Sequence, residues 1–150
     1  MKRSVNNCFW QNKHLPDLNE HEWDALCDGC AKCCVYKLEV VDTGEFLYTN
    51  VACHLLDLDT CKCKDYDHRF DLEPGCIKLT PQNVFELKWL PETCAYRLLA
   101  EGKPLPDWHP LVCGNPNLIH EIGMSVRNRL IKQTDVDMRN LEDYIVDWLK

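Results

Sequence analysis

Apolar and polar positions first fall into a helical rhythm in the stretch Leu18-Asn19-Glu20-His21-Glu22-Trp23. Asn19 can cap the first turn and Glu22 can reach back to it, while Leu18 and Trp23 occupy the two positions of a hydrophobic staple. The pattern predicts a helix that starts at Glu20 and runs toward Cys27, leaving residues 27–34 at or just beyond its C-terminal end. Residues 35–41 and 45–51 are then β-branched and aromatic on either side of Asp42-Thr43-Gly44, which predicts a hairpin. Such a hairpin would return Cys53 toward the segment that carries Cys27 to Cys34.

Between Ala52 and Ile77 the periodicity fades into Cys, Asp, Lys and His, and the stretch reads as mostly irregular. Loops longer than about 15 residues are uncommon in compact domains, and a bound metal is one constraint that orders them. Thr80-Pro81 has the form of an N-cap followed by Pro at the first helical position, predicting a short helix to about Lys88. A second helix fits Pro91 to Glu101, with Ala95, Leu98 and Leu99 apolar and Gly102 at the C′ position. Pro104, Pro106 and Pro110 impose an extended connection around Trp108. A strand is expected at 125–131, and a C-terminal helix from near Asn140, with Leu141, Tyr144, Ile145, Trp148 and Leu149 on its apolar face. The expected fold class is α+β: short helices and a small antiparallel sheet, with metal-bound cysteine-rich loops.

Length and composition keep that picture within one domain spanning 1–150, since 150 residues with 45% hydrophobic side chains are enough for one core. The net charge of −7 argues against nucleic acid as a partner, because phosphate-backbone binding needs a basic face. No apolar run approaches the roughly 20 residues that span a bilayer. The basic start is followed by Gln11-Asn12-Lys13-His14 where a signal peptide would have its apolar region. No membrane association and a cytoplasmic location are expected.

A reducing cytoplasm changes the meaning of the eleven cysteines, because disulfides are rare there and metal ligation becomes the leading account. Cys27, Cys30, Cys33 and Cys34 form a CxxCxxCC run, followed by Cys53, Cys61, Cys63, Cys76 and Cys94. Were the first four helical, about 100° per residue would gather them in a sector of about 120°. Thiolates select zinc, copper(I) or iron–sulfur centres. One tetrahedral zinc takes four ligands, so nine candidates point to two or more metal ions or to a cluster with bridging sulfurs. Adjacent Cys33 and Cys34 are expected to point apart and to serve different metals or edges. Zinc is preferred over iron; the iron–sulfur alternative rests on Cys-x-x-Cys-x-x-Cys matching the start of a ferredoxin run, which then fails at Cys34-Val35.

Lys32, Lys37, Lys62, Lys64 and Arg69 stand beside cysteines in sequence, where a cation favours thiolate. The alternative is an ordinary solvated charged surface. Cys8 and Cys113 are isolated and read as packing residues without a ligand role. A thioredoxin-like redox site lacks its preceding strand. No spacing ties His54, His68, His109 or His120 to a particular thiol for catalysis, and His54, beside Cys53, is the best substitute ligand.

The motifs Cys27-Asp-Gly-Cys-x-Lys-Cys-Cys, Thr49-Asn-Val-Ala-Cys53, Thr60-Cys-x-Cys63, Cys76-Ile-Lys-Leu-Thr80, Trp89-Leu-Pro-x-Thr-Cys-Ala-Tyr-Arg-Leu-Leu-Ala-Glu-Gly102 and Trp108-His-Pro-Leu111 resemble the YcgN-type proteins of the YkgJ-like cysteine-cluster family. The resemblance runs from about Phe9 to Ile131 and is weaker beyond. It implies a zinc- or iron-chelating domain whose signature cysteines are Cys27, Cys30, Cys33 and Cys34, with Cys53, Cys61, Cys63, Cys76 and Cys94 as the later ones. It implies no reaction. The expected function is metal chelation without catalysis, with an iron–sulfur redox or accessory enzyme as the alternative.

Overall fold

The Glu22 amide donates to Asn19 Oδ1 at 2.8 Å, and the Asn19 amide donates to the Glu22 carboxylate at 3.0 Å. This capping box opens a helix at the predicted residue. In the computed structural model, which describes residues 8–73 and 76–149, the short helices are α1 (Phe9–Asn12), α2 (Glu20–Ala25), α3 (Arg69–Leu72), α4 (Ala95–Ala100), α5 (Pro110–Cys113) and α6 (Leu118–Glu121). Two antiparallel hairpins, β1 (Val35–Glu39) with β2 (Phe46–Ala52) and β3 (Leu56–Asp57) with β4 (Lys62–Cys63), complete an α+β fold.

The β1–β2 turn reverses at Gly44, whose φ of +74° is one that glycine adopts without a Cβ penalty. A register shift between Val35 and Lys37 marks a bulge in β1. The outer edge of β2 is also used. Thr49 bridges Ile145 and Val51 bridges Ile131, while the Val146 amide donates to the Tyr48 carbonyl at 2.9 Å. With both edges engaged, Thr49 and Val51 are fully buried.

Two apolar clusters form the core. One gathers Val35, Tyr48, Ala52, Leu56, Val126 and Leu149; the other gathers Leu15, Leu26, Val84, Leu90, Tyr96 and Leu105. Leu26 and Leu149 have no exposed surface, and complete burial of such a side chain is worth about 1.5–3 kcal/mol. The Tyr48 hydroxyl donates to the Trp89 carbonyl and so links the first cluster to the segment that carries the second.

Four sequence expectations are corrected. No α-helix forms over 80–88. Thr80 and Asn83 do exchange reciprocal cap-like hydrogen bonds of 2.8 and 3.1 Å, but the segment continues as turns. A run this short nucleates poorly, and Pro91 disfavours helical backbone at Leu90. Residues 125–131 do not make a strand, because Asn128 has a φ of +66° and only Ile131 reaches β2. The C-terminal segment is 3-10 turns over Met138–Tyr144, interrupted by non-helical backbone at Asn140. Its helical pattern yields to pairing of Ile145 with Thr49, where β2 offered unpaired backbone groups. The irregular stretch after Ala52 contains β3, β4 and α3.

The expected second helix is observed as α4, with Gly102 as its stop. The Lys103 amide donates to the Leu98 carbonyl at 2.8 Å and the Gly102 amide to Leu99 at 3.1 Å, the paired bonds of a Schellman motif. Cys94 is the N-cap of this helix, so the same signal that starts α4 places a thiol at its mouth.

Candidate metal centre

The CxxCxxCC run lies just beyond α2, as expected, but is not helical, and the expected single helical face is replaced by a tight loop. Gly29 and Ala31 take positive φ values of 82° and 60°, which winds the chain around the first thiols. The Cys30 amide donates to buried Asp28 Oδ1 at 3.0 Å, and the Lys32 amide donates to Cys30 Sγ at 3.5 Å. An N–H aimed at sulfur stabilises a thiolate. The loop is anchored from outside by the Val126 amide on the Cys30 carbonyl at 3.0 Å. The fully buried His109 ring meets the Leu26 carbonyl at 2.8 Å.

Each later cysteine is delivered by a distinct element. The Cys53 amide donates to the Cys34 carbonyl at 2.9 Å, so the first hairpin closes with these two residues side by side. In the second hairpin Leu56 pairs with Cys63, which turns Cys63 back beside the Cys53 segment. The Cys76 amide bonds the Glu73 carbonyl just after α3. Buried Lys32 donates to Thr93 Oγ1 at 3.2 Å, tying the loop to the residue before Cys94.

Electrostatic coupling sorts the thiols into two groups. In the first, burial and then the charge of Cys33 push Cys27 up to about 12, with Cys94 contributing. Burial pushes Cys94 up to about 12, with Cys33 and Asp28 adding to the rise. Burial, Asp28 and Cys33 raise Cys30 well above its ordinary value. In the second group, burial raises Cys53, and Glu73, Cys76 and Cys63 act in the same direction. Burial also raises Cys76, helped by Cys63 and, from the first group, by Cys33, and opposed by Arg69. Cys27 and Cys33 are exposed as residues and Cys94 is partly buried, so of this group Cys30 alone is buried as a whole residue.

The groups meet at Cys33 and Cys34, whose sulfurs are 4.0 Å apart. The two side chains therefore do not diverge as expected. The hydrogen bond between the two thiols lowers Cys33 to about 7, with help from Lys37, and raises Cys34. Lys37 donates to the Cys33 carbonyl at 2.8 Å and lies over the Trp89 ring. Of the basic residues expected to act on thiols, Lys37 and Arg69 do so; Lys62 is exposed at the second hairpin.

Cys61 differs from the other eight candidates. It is buried, with a positive φ of 60°. Burial raises its pKa, and the groups acting on it most are Arg127, Ser125 and Asp57. Cys113 is exposed and its Sγ contacts the Trp108 and Asn115 carbonyls, while Cys8 stands at the N-cap of α1. Cys113 is thus not the buried packing residue its isolation in sequence implied.

Thiols that oppose one another's ionisation are stabilised as thiolates by a cation among them, although among the described residues no three of these sulfurs lie within 4.8 Å of one another. The donor set is soft and fits zinc or iron. Sequence reasoning overlooked Asp28, Thr93 and Glu73; for Glu73 the available signal was its place three residues before Cys76.

Residues 26–95 match the CxxCxxCC family model, described as a "Putative zinc- or iron-chelating domain". A UPF0260 protein of Rhizobium etli (strain CIAT 652) is 49% identical over 93% of the chain and 89% of that protein. One of Rhodopseudomonas palustris (strain TIE-1) is 52% identical over 93% of the chain and 83% of that protein. The chain belongs to the UPF0260 family. Another UPF0260 member, from Marinobacter nauticus, is 49% identical over 94% of the chain and 95% of that protein. No solved structure matches the chain. Among the described residues, no helix is long and apolar enough to cross a membrane.

Proposed function

We infer that this UPF0260 protein binds zinc or iron as a structural or chelated metal, through Cys27, Cys30, Cys33 and Cys94 in one group and Cys34, Cys53, Cys63 and Cys76 in an adjoining one. The observation that carries this reading is the closure of the first hairpin at Cys34 and Cys53, which sets two thiols distant in sequence side by side, close enough for Cys53 to act on the ionisation of Cys34. Cys61, a ninth candidate donor by sequence, is acted on by Arg127, Ser125 and Asp57 and stands outside both groups of this proposal. The reading treats residues 1–150 as one non-catalytic, cytoplasmic domain with metal ions as its partners, and places it with the YcgN-type branch of the YkgJ-like proteins.

The proximity of Cys33 and Cys34 favours a second reading, an iron–sulfur centre serving a redox or accessory role, because adjoining sulfurs suit a cluster with shared edges. One experiment separates the two: metal analysis, visible absorption and labile sulfide assay on anaerobically purified protein. Two or more zinc ions without visible absorption support the first reading. Iron with labile sulfide and charge-transfer bands supports the second, and less than one ion per chain removes both.

A further inference from the structure

Beside Cys53 stands a set of donors that is not all sulfur. Cys53 Sγ, a ring nitrogen of His54 and a carboxylate oxygen of Glu73 all lie within 4.8 Å of one another. His54 Nε2 is 3.2 Å from Glu73 Oε1. Tyr36, on β1, points its hydroxyl at the same Glu73 oxygen at 3.5 Å. Three ligand types thus converge from two segments, residues 53–54 after β2 and Glu73 at the end of α3.

We propose that Cys53, His54 and Glu73 form a mixed thiolate–imidazole–carboxylate site for a borderline divalent ion such as Zn2+ or Fe2+, leaving one coordination position open. The proposal rests on the reading that Cys53 ligates metal and assigns His54 and Glu73 as its co-ligands in place of Cys34, Cys63 and Cys76. Four-sulfur sites close the coordination sphere of zinc, whereas three protein ligands leave a position for water or an exchangeable ligand. Nitrogen and oxygen donors also suit Zn2+ and Fe2+ better than copper(I), which prefers sulfur alone. The side chains of His54 and Glu73 are 37% and 23% exposed, so the site opens at the surface. The molecule would then pair a closed, all-thiolate ion with an accessible one.

The test is anaerobic Co2+ titration of the reduced, metal-free full chain, followed by visible spectroscopy. Sulfur-to-cobalt charge-transfer intensity reports the number of thiolates on each ion. Glu73→Gln, which preserves shape, and His54→Ala should each weaken one equivalent by at least ~10-fold and leave the intense, thiolate-rich band of the other. Cys30→Ser should do the opposite, removing the intense band while sparing the equivalent with weak sulfur absorption. Isotherms for Glu73→Gln and His54→Ala that both coincide with the parent's would overturn the mixed site and leave the all-thiolate reading standing. Loss of the weak band alone from Cys30→Ser would overturn the all-thiolate grouping, and a parent chain that binds no Co2+ would end both.

Discussion

The Cys53 amide donates to the Cys34 carbonyl at 2.9 Å, one step beyond the Val35–Ala52 pair that ends the first hairpin. The ladder of β1 and β2 is therefore the frame that sets the two thiol groups against each other. Inside that frame, fully buried Thr49 donates through Oγ1 to the Tyr36 carbonyl at 2.7 Å.

Thr49→Val should leave that carbonyl without its donor and cost about 1–3 kcal/mol. Urea denaturation of the metal-loaded chain is the measurement. Metal affinity should drop with stability, because the same strand positions Cys53; unchanged affinity at lowered stability would separate the hairpin from the site.

Metal binding by the first group should expel protons in a pH-dependent number. Cys27 and Cys94 at about 12 and Cys30 well above its ordinary value are protonated at neutral pH, whereas Cys33 at about 7 is half ionised. An ion held by these four thiols then displaces about four protons at low pH, falling toward about three as pH rises through the Cys33 titration. Because protons compete with the metal, affinity should rise with pH. Calorimetry in buffers of different ionisation enthalpy, on Cys63→Ser protein to weaken the second group, reads the count directly.

Single cysteine changes should sort by place in the fold. Cys30→Ser should lose metal, Cys63→Ser should do so only where four thiolates and not Cys53, His54 and Glu73 hold the second ion, and Cys8→Ser and Cys113→Ser should retain the full content. Cys61→Ser is the discriminating variant. With Arg127, Ser125 and Asp57 acting most strongly on Cys61, the expected outcome is full metal content. Loss of an equivalent would make Cys61 a ligand.

Removing metal under reducing conditions should open the segment from Ala52 to Ile77 to proteases, since structural zinc contributes on the order of 10 kcal/mol to small domains. The tail around Ile145 should lose protection with it, because that tail pairs with Thr49 of β2. A protease pattern and thermal midpoint identical with and without metal would instead make the ion a cargo on a prefolded scaffold.

The sequence by itself determined what depends on near neighbours: the Asn19–Glu22 capping box, the reversal at Gly44, the helix stop at Gly102 and the density of thiols after α2. These signals act across a few residues, so no distant partner is needed to read them. Only the tertiary structure decided which thiols act on one another, because Cys94 reaches Cys27 electrostatically through the packing of two segments far apart in sequence. It also decided the tail. Residues 141–149 carry a helical pattern, but Ile145 and Val146 pair with β2, and Leu149 is fully buried in the cluster around Val35 and Leu56. A lone segment has no β2 edge to pair with, so its periodicity could not reveal that the backbone would choose sheet pairing over helix.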